Sequence, residues 1–154
     1  MVDGSPGVRR ATRDDGAVVA GLRHAWAGEQ AGQDLTDPTF DEVFEAWFDR
    51  EYDQRMTWLA FHQDLPVGML NMLVFTRMPK PARRTSQWGY LANVYVDAVH
   101  RDAGVGRMML DAALDFAKEQ ELARLVLSPS ERSVPFYERA GFAPATSLMV
   151  CDLS

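Results

Sequence analysis

The segment Arg101-Asp-Ala-Gly-Val-Gly106 holds the first residues whose types and spacing point to chemistry. It follows an apolar run, Tyr90-Leu-Ala-Asn-Val-Tyr-Val96. It precedes an amphipathic one, Val105-Gly-Arg-Met-Met-Leu-Asp-Ala-Ala-Leu-Asp-Phe-Ala117. Its glycines therefore stand where a strand gives way to a helix. The first amides of a helix have no intrahelical partner, and the helix dipole adds partial positive charge there. Glycine lets an anion approach that backbone closely, so the segment suits a phosphorylated ligand. A second segment, Phe136-Tyr137-Glu138-Arg139-Ala140-Gly141-Phe142, places a tyrosine on a short helix ending at glycine. A tyrosine hydroxyl, with an ordinary pKa of about 10, keeps its proton at neutral pH and can donate it.

Two common nucleotide loops do not fit. A dinucleotide-binding loop needs a third glycine where Met109 stands, and a P-loop needs Gly-Lys-Ser/Thr where the chain has Gly106-Arg107-Met108. The Arg-x-x-Gly-x-Gly spacing after Val94-Tyr95-Val96, with the Phe-Tyr-Glu-Arg-Ala-Gly-Phe segment about 30 residues on, resembles the GCN5-related N-acetyltransferase (GNAT) family. The resemblance is firm over residues 88–142 and rests on element order alone over 8–75. It implies an acyltransferase fold that uses acetyl-CoA and transfers the acetyl group directly to a primary amine of a small molecule or peptide. The alternatives are transfer of another acyl group, or a coenzyme A-binding regulatory module without catalysis.

What the resemblance implies for single residues follows from these two signatures. Arg101, Asp102, Ala103, Gly104, Val105, Gly106 and Arg107 form the pyrophosphate cradle. Val94, Tyr95 and Val96 belong to the strand beside the pantetheine, with Val94 and Val96 offering backbone groups to its amides. Tyr137 points at the sulfur as general acid, with Phe136 and Ser133 beside the cofactor. Ser130 stands seven residues before Tyr137, where the family often has asparagine. Asn93 either touches the acetyl group or acceptor, or satisfies a bulge in its strand. Glu29 and Asp34 fall in the loop where acceptors are seated. No general base is evident: Tyr90, Asn93 through water, Glu29 and Asp34 are the options. His24, His62 and His100 read as structural or solvated, with phosphate assistance open to His100.

These residues need elements to hold them. Val8 to Ala11 reads as an edge strand, and Thr12-Arg-Asp-Asp15 as a cap with carboxylates in the first turn. A helix with Val18, Val19, Leu22 and Trp26 inward follows, then a polar loop over 27–37. Pro38 suits the first turn of a second helix carrying Phe40, Val43, Phe44 and Trp47 inward. Strands are expected over 56–62 and 67–75 about a turn, then a basic loop over 76–87. A strand over 88–97, a helix over 104–119, a strand over 123–127, a helix over 133–140 and a terminal strand complete the order β, α, α, β, β, β, α, β, α, β. Early antiparallel strands and late βαβ units predict an α+β domain, a mixed twisted sheet with helices on both faces.

A length of 154 residues suits one domain spanning 1–154, with residues 1–7 as a disordered polar lead. The single cysteine, Cys151, excludes an internal disulfide, suits a reducing cytoplasm, and reads as a small core residue. No apolar run reaches the ~20 residues of a membrane helix, and the start is unlike a signal peptide. The net charge of −6 argues against nucleic acid and slightly favours a cationic acceptor, with Glu29, Asp34 and Asp37 crowding one loop. Against it stand Arg77, Lys80, Arg83 and Arg84, which would favour an anionic acceptor or the 3′-phosphate of coenzyme A. Nothing in the sequence calls for a metal. Few residues follow Gly141-Phe142, so closing strands must be short or a homodimer partner must supply cover.

Overall fold

The computed structural model describes residues 4–154. Of the expected disordered lead, residues 1–3 lie outside the described residues, whereas Gly7 already pairs with Phe61. Five strands form one sheet in the order β1 to β5: β1 (Gly7–Arg10), β2 (Arg55–His62), β3 (Leu65–Thr76), β4 (Gln87–Val96) and β5 (Leu125–Leu127). The first four are mutually antiparallel, and β5 joins β4 in parallel. The helices are α1 (Gly16–Ala31), α2 (Phe40–Glu51), α3 (Val105–Glu119) and α4 (Val134–Arg139). The mixed α+β architecture is the one the element order implied.

Strand alternation assigns each face its own core. Trp58, Ala60, Leu70, Met72 and Leu91 pack with Val105, Met109, Leu110 and Ala113 of α3, and α4 leans on this cluster through Phe136 and Tyr137. On the other face Leu59, Met69 and Tyr95 pack under Val19 and Leu22 of α1 and Phe48 of α2. A buried polar chain crosses this second face. The Arg55 guanidinium donates to Asn71 Oδ1 at 2.8 Å, and Asn71 Nδ2 donates to Thr57 Oγ1 at 2.8 Å. Each buried amide group thus has a partner, which removes most of the cost of burying it.

Three expectations change. Helix α1 runs on to Ala31, because Glu29, Gln30 and Ala31 are good helix formers and the turn is delayed to Gly32, which has φ of +67°. Pro38 lies before α2 instead of in its first turn, where Asp37 accepts from the Thr39 amide and opens the helix. The terminal strand is absent among the described residues. Leu148 to Leu153 has a strand-like composition, but no backbone bonds join it to β5, and Met149 is 99 % exposed. Cys151 is exposed for the same reason, so it is not a core residue.

Asp15 fastens the start of the fold. It accepts from both Arg9 guanidinium nitrogens at 2.7 and 2.9 Å and from the Thr12 amide at 2.6 Å, tying β1 to the entry of α1. The Arg9 hydrogen bonds and the Thr12 amide hold its carboxyl at about 2, against an ordinary 3.8. At roughly 1.4 kcal/mol per unit, that difference contributes about 2 kcal/mol of stability. A lowered folded-state value gives a contribution present above pH 3.8 and lost as pH falls towards 2. Asp15→Asn should therefore lower the urea unfolding free energy by about 2 kcal/mol at pH 7. The gap from the unaltered protein should close on acidification; a gap that persists at low pH would place the effect elsewhere.

Candidate active site

The cleft exists because β4 and β5 pair over only three positions, Gly89 with Leu125, Tyr90 with Val126 and Leu91 with Leu127. Beyond Leu91 the register between β3 and β4 shifts: Asn71 faces Asn93 and Met72 faces Leu91, leaving Ala92 without a partner. A bulge of this kind bends the strand and raises its twist. The β5 side of residues 92–96 thus stays clear of sheet pairing, and the chain from Ser133 to Arg139 forms the opposite wall. Asn93 follows the unpaired Ala92 and faces Asn71 across the ladder.

The resulting cleft is about 480 Å³ and is walled by Val94 and Val96 of β4, the turn 100–107, and Ser133, Phe136, Tyr137 and Arg139. Gly104 adopts φ of +83°, a left-handed conformation that opens α3 from the turn. The first bonded amide of that helix is Met108, which donates to the Gly104 carbonyl at 3.0 Å. The amides of Val105, Gly106 and Arg107 are therefore the ones helix geometry leaves for an outside acceptor. A Cβ on Gly106 would stand 3.6 Å from Phe136 Cζ and 3.7 Å from Val96 Cγ2, so the glycine keeps the cleft floor low.

Among the charged side chains that line the cleft, arginines outnumber carboxylates. Arg101, Arg107 and Arg139 line it against Asp102 alone among carboxylates. Arg107 is held by Asp111 at 2.8 Å and donates to the Arg139 carbonyl at 3.2 Å, bracing α3 against the end of α4. His100 also lines the cleft. Its ring lies 5.3 Å from that of His62, and its buried Nδ1 has no hydrogen-bond partner, with Asp97 Oδ2 3.6 Å away. Arg139 had not been singled out from the sequence; its place in the last turn of α4 was the available signal.

Tyr137 separates this cleft from an apolar groove of about 320 Å³ running along β5, and it lines both. Its ring packs edge-on against Phe136 and Phe142, with centroids 5.0 and 5.7 Å away. Burial pushes its hydroxyl above the ordinary tyrosine range, so it keeps its proton at neutral pH.

Several expected residues are placed otherwise. The Tyr95 side chain faces away from the cleft, because it alternates with Val94 and Val96; it stacks on Trp26 at 5.6 Å. Ala103 sits in the exposed turn without lining the cleft. Ser130 is outside the wall, its hydroxyl donating to Ser133 Oγ at 3.1 Å. Glu29 binds Arg101 and accepts from the Tyr95 hydroxyl at 3.3 Å. Asp37 is taken up by Thr39, and Asp34 lies 3.6 Å from His24. Of the three carboxylates, Glu29 is paired with an arginine, Asp37 accepts from a neutral threonine and keeps its charge, and Asp34 is exposed. The basic loop lies at the start of β4, the opposite end of that strand from the glycine turn, and Arg84 pairs with Glu121 at the end of α3. That position takes Arg83 and Arg84 away from the phosphate end of the cleft. Among the described residues no group of three or more His, Cys, Asp or Glu side chains could hold a metal ion. No described helix is long and apolar enough to cross a membrane.

Comparison with known proteins follows the same lines. The family model described as acetyltransferase (GNAT) matches residues 20–142. The chain is 30 % identical over 87 residues to the glucosamine 6-phosphate N-acetyltransferase of Trypanosoma brucei brucei, a match covering 56 % of this chain and 57 % of that one. It is 27 % identical over 131 residues to a Bacillus subtilis protein whose assignment as an acetyltransferase is itself inferential, covering 85 % and 78 % of the two chains. A Clostridium acetobutylicum protein crystallised with acetyl-CoA has the same fold, with a TM-score of 0.75, 20 % identity and 97 % of each chain covered.

The two glycines are separable by experiment. Gly106→Ala meets only ordinary contact distances, so it should fold normally and bind coenzyme A more weakly. Gly104→Val should both strain the turn and impair binding, because a β-branched residue tolerates a left-handed φ poorly. Calorimetric titration with acetyl-CoA beside thermal melting reads both effects. Full affinity in both variants would make this turn a connection and nothing more.

Proposed function

The chain belongs to the GNAT acetyltransferase family, and from that premise we propose that it transfers an acetyl group from acetyl-CoA to a primary amine. The observation that carries this reading is a cleft with a glycine-floored helix N-terminus and three arginines at one end and a half-buried, protonated tyrosine on its wall. A pyrophosphate is the kind of group such a helix start accommodates. The backbone edge of β4 at Val94, continuing to Val96 whose carbonyl accepts from Arg101, suits the amides of an extended pantetheine, and Arg101, Arg107 and Arg139 supply charge for phosphates.

Acetyl-CoA supplies a thioester whose carbonyl carbon takes the amine, a C–N bond forming as the C–S bond breaks. Tyr137 donates its proton to the departing sulfur, and the nitrogen gives up its own proton on the solvent side. No cysteine lines the cleft, which fits direct transfer without a covalent acyl-enzyme. The acceptor is a small molecule or peptide amine. The relative from Trypanosoma brucei brucei acts on glucosamine 6-phosphate, which puts phosphorylated amino sugars in the test panel beside polyamines and amino acids.

A ligand present at about 100 times its dissociation constant adds roughly 2.7 kcal/mol to stability, so acetyl-CoA should raise the melting temperature visibly while ATP and NAD do not. Thiol release in the presence of the amine panel then separates a transferase from a module that only binds; binding without release from any amine would favour the module. With an active acceptor, Tyr137→Phe should lower turnover by about 10²- to 10⁴-fold with little change in acetyl-CoA affinity. Because burial raises the hydroxyl's pKa, any loss of rate from its ionisation should fall on the alkaline side of the ordinary tyrosine range. A Phe variant as fast as the unaltered enzyme, with chemistry limiting, would leave Tyr137 a packing residue.

A further inference from the structure

Glu29 sits in the last turn of α1, where the negative end of the helix dipole disfavours a carboxylate, and that turn carries no basic residue of its own. Its compensation comes from elsewhere in the fold. Arg101, seventy-two positions along the chain, donates Nη2 to Glu29 Oε1 while its Nε donates to the Val96 carbonyl at 2.9 Å. The guanidinium lies 5.8 Å from the Tyr95 ring centroid, and the Tyr95 hydroxyl donates to Glu29 Oε2 at 3.3 Å. Trp26, one turn earlier on α1, stacks on the other partner in this group, Tyr95. One carboxylate thus joins three things: the end of α1, the end of β4 and the turn of the acyl-CoA cleft.

We propose that Glu29 is a positioning residue that couples the α1–α2 connection to acyl-CoA binding, acting through Arg101 and Tyr95. This rests on the reading of the cleft as an acyl-CoA site. The geometry points away from a plain stability role. The side chains of Arg101 and Glu29 are 36 % and 38 % exposed, and ion pairs that wet add little to folding. Helix α1 is already anchored by Val19 and Leu22 in the core. What the pair does fix is direction: with Nε on Val96 and Nη2 on Glu29, the arginine fork has one orientation relative to the strand edge that holds the substrate. The link onward is the backbone of the same residue: the Glu29 carbonyl accepts from the Gly32 amide at 3.3 Å, so a phosphate that fixes the Arg101 fork against the Glu29 carboxylate steadies the helix end from which Gly32 to Asp37 departs. By reciprocity, an acceptor that orders this connection tightens acyl-CoA binding by the same factor.

Hydrogen exchange on the full chain, with and without coenzyme A, tests this directly. In the unaltered protein, coenzyme A should slow exchange in residues 101–107 and also in 27–37. In Glu29→Gln the protection of 101–107 should remain and that of 27–37 should disappear, with coenzyme A affinity reduced about five- to tenfold, the lower range for coupled sites. The melting temperature without ligand should hardly change. Tyr95→Phe, which keeps the stacked ring and removes the hydroxyl, should weaken the remote protection partially. Remote protection that survives in Glu29→Gln overturns the coupling, as does its absence in the unaltered protein when 101–107 is protected. Failure of coenzyme A to protect either segment removes the acyl-CoA reading itself, and the coupling with it.

Discussion

Much of this molecule depends on one interruption of strand pairing. A parallel pair that continued past Leu91 and Leu127 would fill the β5 side of residues 92–96 with ladder bonds and leave no edge to which an extended ligand could bind. The unpaired Ala92 is where β4 changes register with β3. From there the two edge segments diverge, α3 begins at the mouth of the gap, and α4 crosses its far side. Backbone donors and acceptors left open in this way need a partner, and water or a ligand amide can serve.

Electrostatics then sorts the ends of the cleft. The chain carries a net charge of −6, so its average field repels a polyphosphate. Locally, Arg101, Arg107 and Arg139 gather at the start of α3, the first two also paired with Glu29 and Asp111, and the helix dipole adds positive potential there. At the other side, Tyr137 lies among Phe136 and Phe142, where low polarity keeps a phenol protonated. A single cleft therefore carries arginines beside a helix start and, on its wall, a tyrosine hydroxyl.

The parts legible in the sequence are those governed by short-range rules. Gly104 and Gly106 were readable because strand, turn and helix signals are local, and Tyr137 because its helix ends in a glycine with φ of +98°. The misreadings share a different origin. Glu29 looked like an acceptor contact in a polar loop, but α1 continues through it and Arg101 claims it. Tyr95 lay in the right tripeptide yet turns to the opposite face, as alternation demands. Cys151 lay in an apolar run, but composition cannot say whether a sheet edge will come to meet it.

By itself the sequence determined the element order as far as α4, the mixed sheet, the glycine turn before α3 and the helix that carries Tyr137, because hydrophobic period, helix-end chemistry and backbone freedom are properties of neighbouring residues. The tertiary structure alone decided that Glu29 is paired with Arg101, that the basic loop lies at the far end of β4, and that Arg139 joins Arg101 and Arg107. Those outcomes depend on contacts between residues tens of positions apart, such as Glu29 with Arg101 and Arg107 with the Arg139 carbonyl. Local pattern constrains which side chains are available to such contacts, and the packing of helices on the sheet decides which of them meet.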